Sequence, residues 1–191
     1  KVMQEYGVEK SIESAKSLGV TTLDKDPSEY GLALAIGAAE VPLQQMTNAY
    51  AAFANNGGLR ENTTIHEIQN KFNKSIYSHQ SKPTQAVSAA GAYLLTSILS
   101  DTNARAFMFG TSLNVPSKTV AVKTGTTDDN RDAWAIGYTP DIAIGVWVGN
   151  NNNEVMVSGG ADMAGPIWRK PKQQAIGAGN PESTWPSGVV E

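Results

Sequence analysis

Three short apolar runs between Thr119 and Val148 constrain this chain more than any other feature. The first is Thr119-Val120-Ala121-Val122, the second runs from Ala133 to Tyr138, and the third from Ile142 to Val148. In the second, Trp134, Ile136 and Tyr138 alternate with Ala133, Ala135 and Gly137. In the third, Ile142, Ile144, Val146 and Val148 alternate with Ala143, Gly145 and, just beyond, Gly149. Side chains two apart share one face of a strand, so each run has a bulky face and a small face. Small residues let a helix approach a sheet closely. Thr139-Pro140-Asp141 is short enough to fold the last two runs into an antiparallel hairpin. A sheet of this kind needs cover on both sides. The expected fold is α+β, an antiparallel sheet flanked by helices.

The helices are legible from three- and four-residue spacing. Val8, Ile12, Ala15 and Leu18 predict a helix over 1–19, broken at Gly7 and stopped by Gly19. Residues 20–38 are mixed, with a loop at Asp26-Pro27-Ser28. Pro42 suits the first position of a helix, because its missing N–H costs nothing there. Leu43, Met46, Ala49, Tyr50 and Phe53 then line one face, up to Asn55-Asn56-Gly57-Gly58. Residues 59–80 read as a solvent-exposed hairpin. Thr84 is the expected cap of a helix carrying Val87, Gly91, Leu94, Leu95, Ile98 and Leu99, which frays near Asp101. A last helix is expected to open at Gly165-Pro166, with Pro171 straining it. Residues 177–191 are rich in Gly and Pro and read as a tail after a unit spanning 1–176.

Composition removes several function classes. The chain has 191 residues, 40% of them hydrophobic and 17% charged, which suits one folded domain rather than a disordered chain. A net charge of −3 offers no basic patch for nucleic acid. There is no cysteine, hence no disulfide and no thiolate metal site. His66 and His79, the two histidines, lie in a polar segment, which disfavours a Ser-His-Asp hydrolase. No metal or cofactor is implied. No run approaches the roughly 18 apolar residues of a membrane span, and no signal peptide opens the chain. Lys1 to Tyr6 reads as the middle of a helix, so the chain is expected to be a fragment.

The chemistry is concentrated in Lys123-Thr124-Gly125-Thr126-Thr127, expected to follow directly on the first apolar strand. Lys-Thr-Gly is a signature of penicillin-binding proteins and class A β-lactamases. Lys123 brings a cation to a strand end. Thr124 and Thr126 present hydroxyls on one side. Gly125, lacking a Cβ, lets a ligand approach the backbone. An exposed strand of this kind can pair with an extended peptide that ends in a carboxylate. A phosphate loop is disfavoured, because that motif places Gly before Lys.

The surroundings of the motif extend the pattern. Lys123 to Asn152 reads KTGTTDDNRDAWAIGYTPDIAIGVWVGNNN. Upstream stand Glu40-Val41-Pro42-Leu43, the run Tyr50 to Gly58, and the pair Asp101 and Arg105; downstream stands Ala164-Gly165-Pro166-Ile167-Trp168. Taken in order, these resemble the transpeptidase domain of class A penicillin-binding proteins over nearly the whole chain. One departure is a missing residue between Val41 and Pro42.

That resemblance implies the serine β-lactamase and penicillin-binding transpeptidase fold, incomplete at the N-terminus. It implies a peptidoglycan D,D-transpeptidase acting on stem peptides that end in D-Ala-D-Ala, acylated by β-lactams, and placed outside the cytoplasmic membrane. It assigns Lys123 and Thr126 to the catalytic machinery. Lys123, Thr124, Gly125 and Thr126 bind substrate, and the Thr126 backbone N–H serves as an oxyanion donor, a contribution often near ~3 kcal/mol. Arg131 and Asp132 are expected to anchor the loop after the motif. Two further family motifs are missing. No serine here is followed three residues on by lysine, and Ser112-Leu113-Asn114 matches S-x-N at the wrong place. The nucleophile is therefore expected in a preceding part of the same domain, with which this part would pack. The alternatives are a serine β-lactamase or D,D-carboxypeptidase relative, and a non-catalytic module that binds stem peptides or a partner.

Overall fold

The computed structural model describes residues 1–116 and 118–175, with the side chains of 171–175 left aside. The tail expected at 177–191 lies outside the described residues. Helices α1 (Val2–Tyr6) and α2 (Val8–Ser17) are separated at Gly7, whose φ of 99° is in the region that favours glycine. Then follow α3 (Pro27–Tyr30), a 3-10 turn over Gly31–Ile36, and α4 (Leu43–Ala54). Asp26 caps α3, accepting from the Ser28 N–H while Glu29 reaches back to the Asp26 N–H. Ile12, Val20, Leu23 and Ala49 form a small core joining α2 to α4.

Two short pairings precede the main sheet. β1 (Gly58–Leu59) pairs with β4 (Thr84–Gln85), and β2 (Glu67–Gln69) pairs with β3 (Ser75–Ser78), both antiparallel. The hairpin expected within 59–80 is thus present, and every residue of its strands is exposed. Thr84 does not cap a helix. It lies opposite Leu59, and α5 (Ala89–Ser100) starts later with Ser88 as cap, its Oγ accepting from the Gly91 N–H. Pro42 is likewise the cap residue of α4, not its first helical residue, because its ψ of 134° is extended.

The chain does not fray at Asp101. Asp101 ends α5 and caps a further helix, α6 (Thr102–Phe109), accepting at Oδ1 from the N–H groups of Asn103 and Ala104. The main sheet then has the order β5 (Ala121–Thr126), β6 (Asp132–Thr139), β7 (Ile142–Gly149), all antiparallel. Helix α7 (Gly160–Ala175) begins before Gly165-Pro166 and runs through both Pro166 and Pro171. Packing outweighs the proline penalty. Trp168 is 0% exposed and donates from Nε1 to the Ile144 carbonyl at 3.1 Å, and Ala164 is 0% exposed.

The two faces of the sheet are covered by different helices. Thr139 lies opposite Ile142, so Ala135 shares a face with Val146 and Ile136 shares the other with Gly145. The small residues of β6 and β7 therefore face opposite sides, not one common side. A Cβ at Gly137 would come within 2.5 Å of Trp168 on α7, and one at Gly145 within 2.0 Å of Thr47 on α4. The main core gathers Leu113, Val115, Val120, Val122, Ala133, Ala135, Met156, Ala164 and Trp168 on the α7 side.

On the opposite side Tyr138, only 2% exposed, meets the Thr96 hydroxyl of α5 at 2.9 Å and stacks edge-on with Tyr50 of α4. Burial pushes its phenol up to about 12, helped by Tyr50 and opposed by the Thr96 bond. Above the ordinary value of 10.0 the unfolded chain loses this proton first, so stability falls as pH rises. We expect Tyr138 to cost the chain about 2 kcal/mol between pH 10 and 12, and a Tyr138→Phe variant to be spared that loss over the same window. Urea unfolding across that window checks this. Equal losses in both proteins would remove Tyr138 as the cause.

Candidate active site

The Lys-Thr-Gly-Thr segment does not follow the strand; it makes up the last four of its six residues. β5 pairs with β6 from Ala121 opposite Tyr138 to Thr126 opposite Ala133. Its first two residues are buried, whereas Lys123 to Thr126 are partly or fully exposed. β5 is the outer strand, so among the described residues the sheet leaves its other edge unpaired. A buried start roots the strand, and an exposed end offers backbone groups for another strand to join.

Register divides the motif between two faces. Lys123 and Gly125 lie opposite Ile136 and Trp134, whereas Thr124 and Thr126 lie opposite Ala135 and Ala133 on the α7 side. The Lys123 ammonium and the two hydroxyls can therefore meet one ligand only around the free edge. Lys123 Nζ donates to the Thr124 carbonyl, which holds the ammonium beside that edge. Thr126 Oγ1 accepts from the Gly160 N–H at 2.8 Å, joining the motif to the start of α7. As an acceptor in that bond, the hydroxyl keeps its own proton for donation to a ligand.

Gly125 has no internal need to be glycine. A Cβ there would meet only the Trp134 Cβ, at an ordinary 3.5 Å. By contrast, a Cβ on Gly160 would come within 2.4 Å of the Gly125 carbonyl oxygen. Space at Gly125 is therefore open on the Lys123 face.

The loop after the motif is pinned by the pair expected to pin it. Thr127 Oγ1 accepts from the Asp132 N–H at 2.7 Å and donates to Asp132 Oδ2 at 2.9 Å, and Trp147 Nε1 donates to Asp132 Oδ1 at 2.8 Å. Arg131 donates to the Asn153 carbonyl and lies 3.8 Å from Asp129. Both residues shape the β5–β6 turn.

Sequence reasoning missed what stands beside the motif. A cavity of about 190 Å³ opens between α5, α6 and β5; it reaches Lys123 and Thr124 and is flanked by Asp101 and Arg105. Arg105 donates to the Leu99 carbonyl at 2.8 Å and to Asn114 Oδ1 at 3.1 Å. Burial holds its guanidinium below the ordinary value, and the Asp101 charge opposes that shift. The signal was present in the four-residue step from the Asp101 cap to Arg105. Asn114 is committed to Arg105 and Ser112 Oγ to the Phe109 carbonyl, so Ser112-Leu113-Asn114 works as a turn. Apolar surface is exposed on α5 and α6, where Leu94, Ile98, Phe107 and Met108 are more than half exposed, and just before α4, where Leu32 and Ile36 are too. Among the described residues no cluster of His, Cys, Asp or Glu could hold a metal, and no helix is long and apolar enough to cross a membrane.

An antiparallel sheet between helix layers, with Lys-Thr-Gly on its outer strand, defines a transpeptidase or serine β-lactamase type of fold. Solved structures share it. Penicillin-binding protein 1A from Haemophilus influenzae superposes with a TM-score of 0.79 at 21% identity, over 98% of this chain and 34% of that one. The PonA1 protein from Mycobacterium tuberculosis, solved in complex with penicillin V, gives 0.78 at 22% identity, over 94% and 52%.

The family model for the penicillin binding protein transpeptidase domain matches residues 1–170, and the chain belongs to that family. Penicillin-binding protein 2a of Streptococcus pneumoniae serotype 2 is 36% identical over 155 residues, covering 77% of this chain and 20% of the relative. Penicillin-binding protein 2D of Bacillus subtilis is 31% identical over 194 aligned residues, covering 96% and 27%. The chain thus spans about a fifth to a quarter of the curated relatives it matches.

Proposed function

We propose that this chain forms the substrate-carboxylate side of a serine-type D,D-transpeptidase that cross-links peptidoglycan stem peptides. In that reaction a serine Oγ attacks the carbonyl of the penultimate D-Ala and the terminal D-Ala leaves. An amine of a neighbouring stem then takes the acyl group from the serine. No serine in these 191 residues is followed three on by lysine, so that serine would lie outside them, in a preceding part of the same domain. Residues 1–176 are the C-terminal part of that domain and 177–191 a tail. A carboxylate-ended peptide would pair along the free edge of β5. Lys123 draws its carboxylate, the Thr124 and Thr126 hydroxyls donate to it, and the Thr126 N–H stabilises the oxyanion. Such a protein works on the outer side of the cytoplasmic membrane, and its partners are the D-Ala-D-Ala terminus and the β-lactams that mimic it.

The observation that carries this reading is the partly to fully exposed Lys123–Thr126 end of β5, rooted in a buried strand, whose outer edge has no strand partner among the described residues. Gly125 supports it, because the fold would accept a side chain there. We expect Gly125→Ala to leave the melting temperature almost unchanged and to slow acylation of the full-length protein by labelled penicillin about tenfold. A tenfold loss corresponds to about 1.4 kcal/mol. An unaltered acylation rate would count against ligand approach at this edge.

The 191-residue chain alone is expected to form no covalent adduct with penicillin, as judged by intact mass, whereas the full-length protein gains one. An adduct on the isolated chain would sink the assignment of the nucleophile.

A further inference from the structure

The β2–β3 ribbon stands apart from the catalytic reading. Every residue of both strands is exposed, and so is the connecting turn after Asn70. Yet the ribbon is not simply polar. Phe72 at its tip is 77% exposed, and Ile76, Ile65, Ile68 and Tyr77 are each more than two-fifths exposed. Ile68 and Tyr77 form a cross-strand pair. Solvated hairpins seldom carry so much apolar surface without a use for it.

Charge sets the ribbon apart a second time. The segment 59–85 holds Arg60, Lys71, Lys74 and Lys82 against Glu61 and Glu67, a net positive arm on a chain of net charge −3. Lys71 and Lys74 flank Phe72, and no acidic residue lies between Asn70 and Gln85. Lys71 Nζ lies 5.0 Å from the centre of the Phe72 ring. The tip is also held in shape. Asn70 Oδ1 accepts from the Phe72 N–H at 2.9 Å and the Lys74 N–H at 3.1 Å, and Asn73 takes a left-handed φ of 59°. Phe72 is thus presented outward by a fixed turn.

We propose that this ribbon is an arm that docks on the surface of an anionic lipid bilayer. Phe72 enters the headgroup region, and Lys71 and Lys74 pair with lipid phosphates. Aromatic and aliphatic groups suit the boundary of headgroups and acyl chains, and lysines reach from it to the charged surface. Apolar groups line the length of an arm whose strands are exposed throughout, which suits a fluid surface better than a shaped protein groove. This inference goes beyond the transpeptidase reading and does not rest on it.

The chain has no cysteine, so Phe72→Cys gives a single site for an environment-sensitive fluorophore in the full 191-residue chain. Vesicles of equal phosphatidylglycerol and phosphatidylcholine are expected to raise and blue-shift its emission, and spin-labelled lipid to quench it. Vesicles of phosphatidylcholine alone should do neither. Adding Lys71→Gln and Lys74→Gln should weaken vesicle affinity by roughly tenfold or more, since each lysine near such a surface contributes about a fivefold factor. A second probe at Phe107→Cys, on the exposed side of α6, should not respond. No response at residue 72, a response only at residue 107, or binding unaffected by loss of both lysines would overturn the proposal. Circular dichroism of each variant separates these outcomes from misfolding.

Discussion

Replacing Lys123 with Ala in the full-length protein is expected to slow acylation by penicillin by roughly 30- to 200-fold, with little change in stability. Lys123 is exposed, and its ammonium donates to the neighbouring Thr124 carbonyl. Its removal leaves no cavity and no unpaired buried group, so the fold should not register it. A carboxylate at the strand edge would register it strongly. A hydrogen bond to a charged group contributes about 1.5–3 kcal/mol, and a loss of about 2–3 kcal/mol gives a rate factor of that order. Stopped-flow acylation with a chromogenic β-lactam reads the rate, and thermal unfolding reads the stability. If both fall together, Lys123 is a structural residue. If neither changes, the ligand carboxylate lies elsewhere.

Trp168→Ala is expected to have the largest effect on stability, about 3–5 kcal/mol. The indole is fully buried in the main core, packs against Gly137, and donates to the Ile144 carbonyl. Truncation leaves a cavity and an acceptor without its donor. The damage should reach the site as well. Helix α7 carries both Trp168 and Gly160, and the Gly160 N–H holds the Thr126 hydroxyl. A loosened α7 therefore frees the end of β5. Urea unfolding of the 191-residue chain measures the loss. Trp168→Phe should recover part of it, because the ring volume is largely kept while the hydrogen bond is not. A loss below about 1 kcal/mol for Trp168→Ala would mean that α7 does not support the sheet.

The sheet was legible because its signal is local. Alternation in Ala133 to Tyr138 and Ile142 to Val148 names two strands directly, and Lys123-Thr124-Gly125-Thr126 marks the edge. The facing of the small residues was harder, because it turns on one residue of register. With Thr139 opposite Ile142, Gly137 meets α7 and Gly145 meets α4. A slip of one residue would reverse either strand. Local signals also misled. Thr84 looks like a helix cap, but it is held by a pairing with Leu59 far away in sequence. Asp101 looks like the end of a helix and is equally the start of the next. Pro166 and Pro171 discourage a helix that the burial of Trp168 and Ala164 sustains. In the candidate site the residue types were readable and the geometry was not. Alternation alone puts the cation and the hydroxyls on opposite faces, but nothing in Lys123 to Thr126 says which face meets α7. Nor does it reveal that the α5–α6 junction, with Asp101 and Arg105, closes around the same strand.

The central claim is that this chain supplies the carboxylate-binding edge of an enzyme whose nucleophile comes from outside it. Mapping the acylated residue in the full-length protein tests it most directly. After reaction with penicillin and proteolysis, mass spectrometry is expected to find one adduct. It should sit on a serine that is followed three residues later by lysine and that lies outside these 191 residues. An adduct on any serine within the chain would contradict the account. So would a full-length protein that binds D-Ala-D-Ala peptides but acquires no adduct, which would identify a binding module instead.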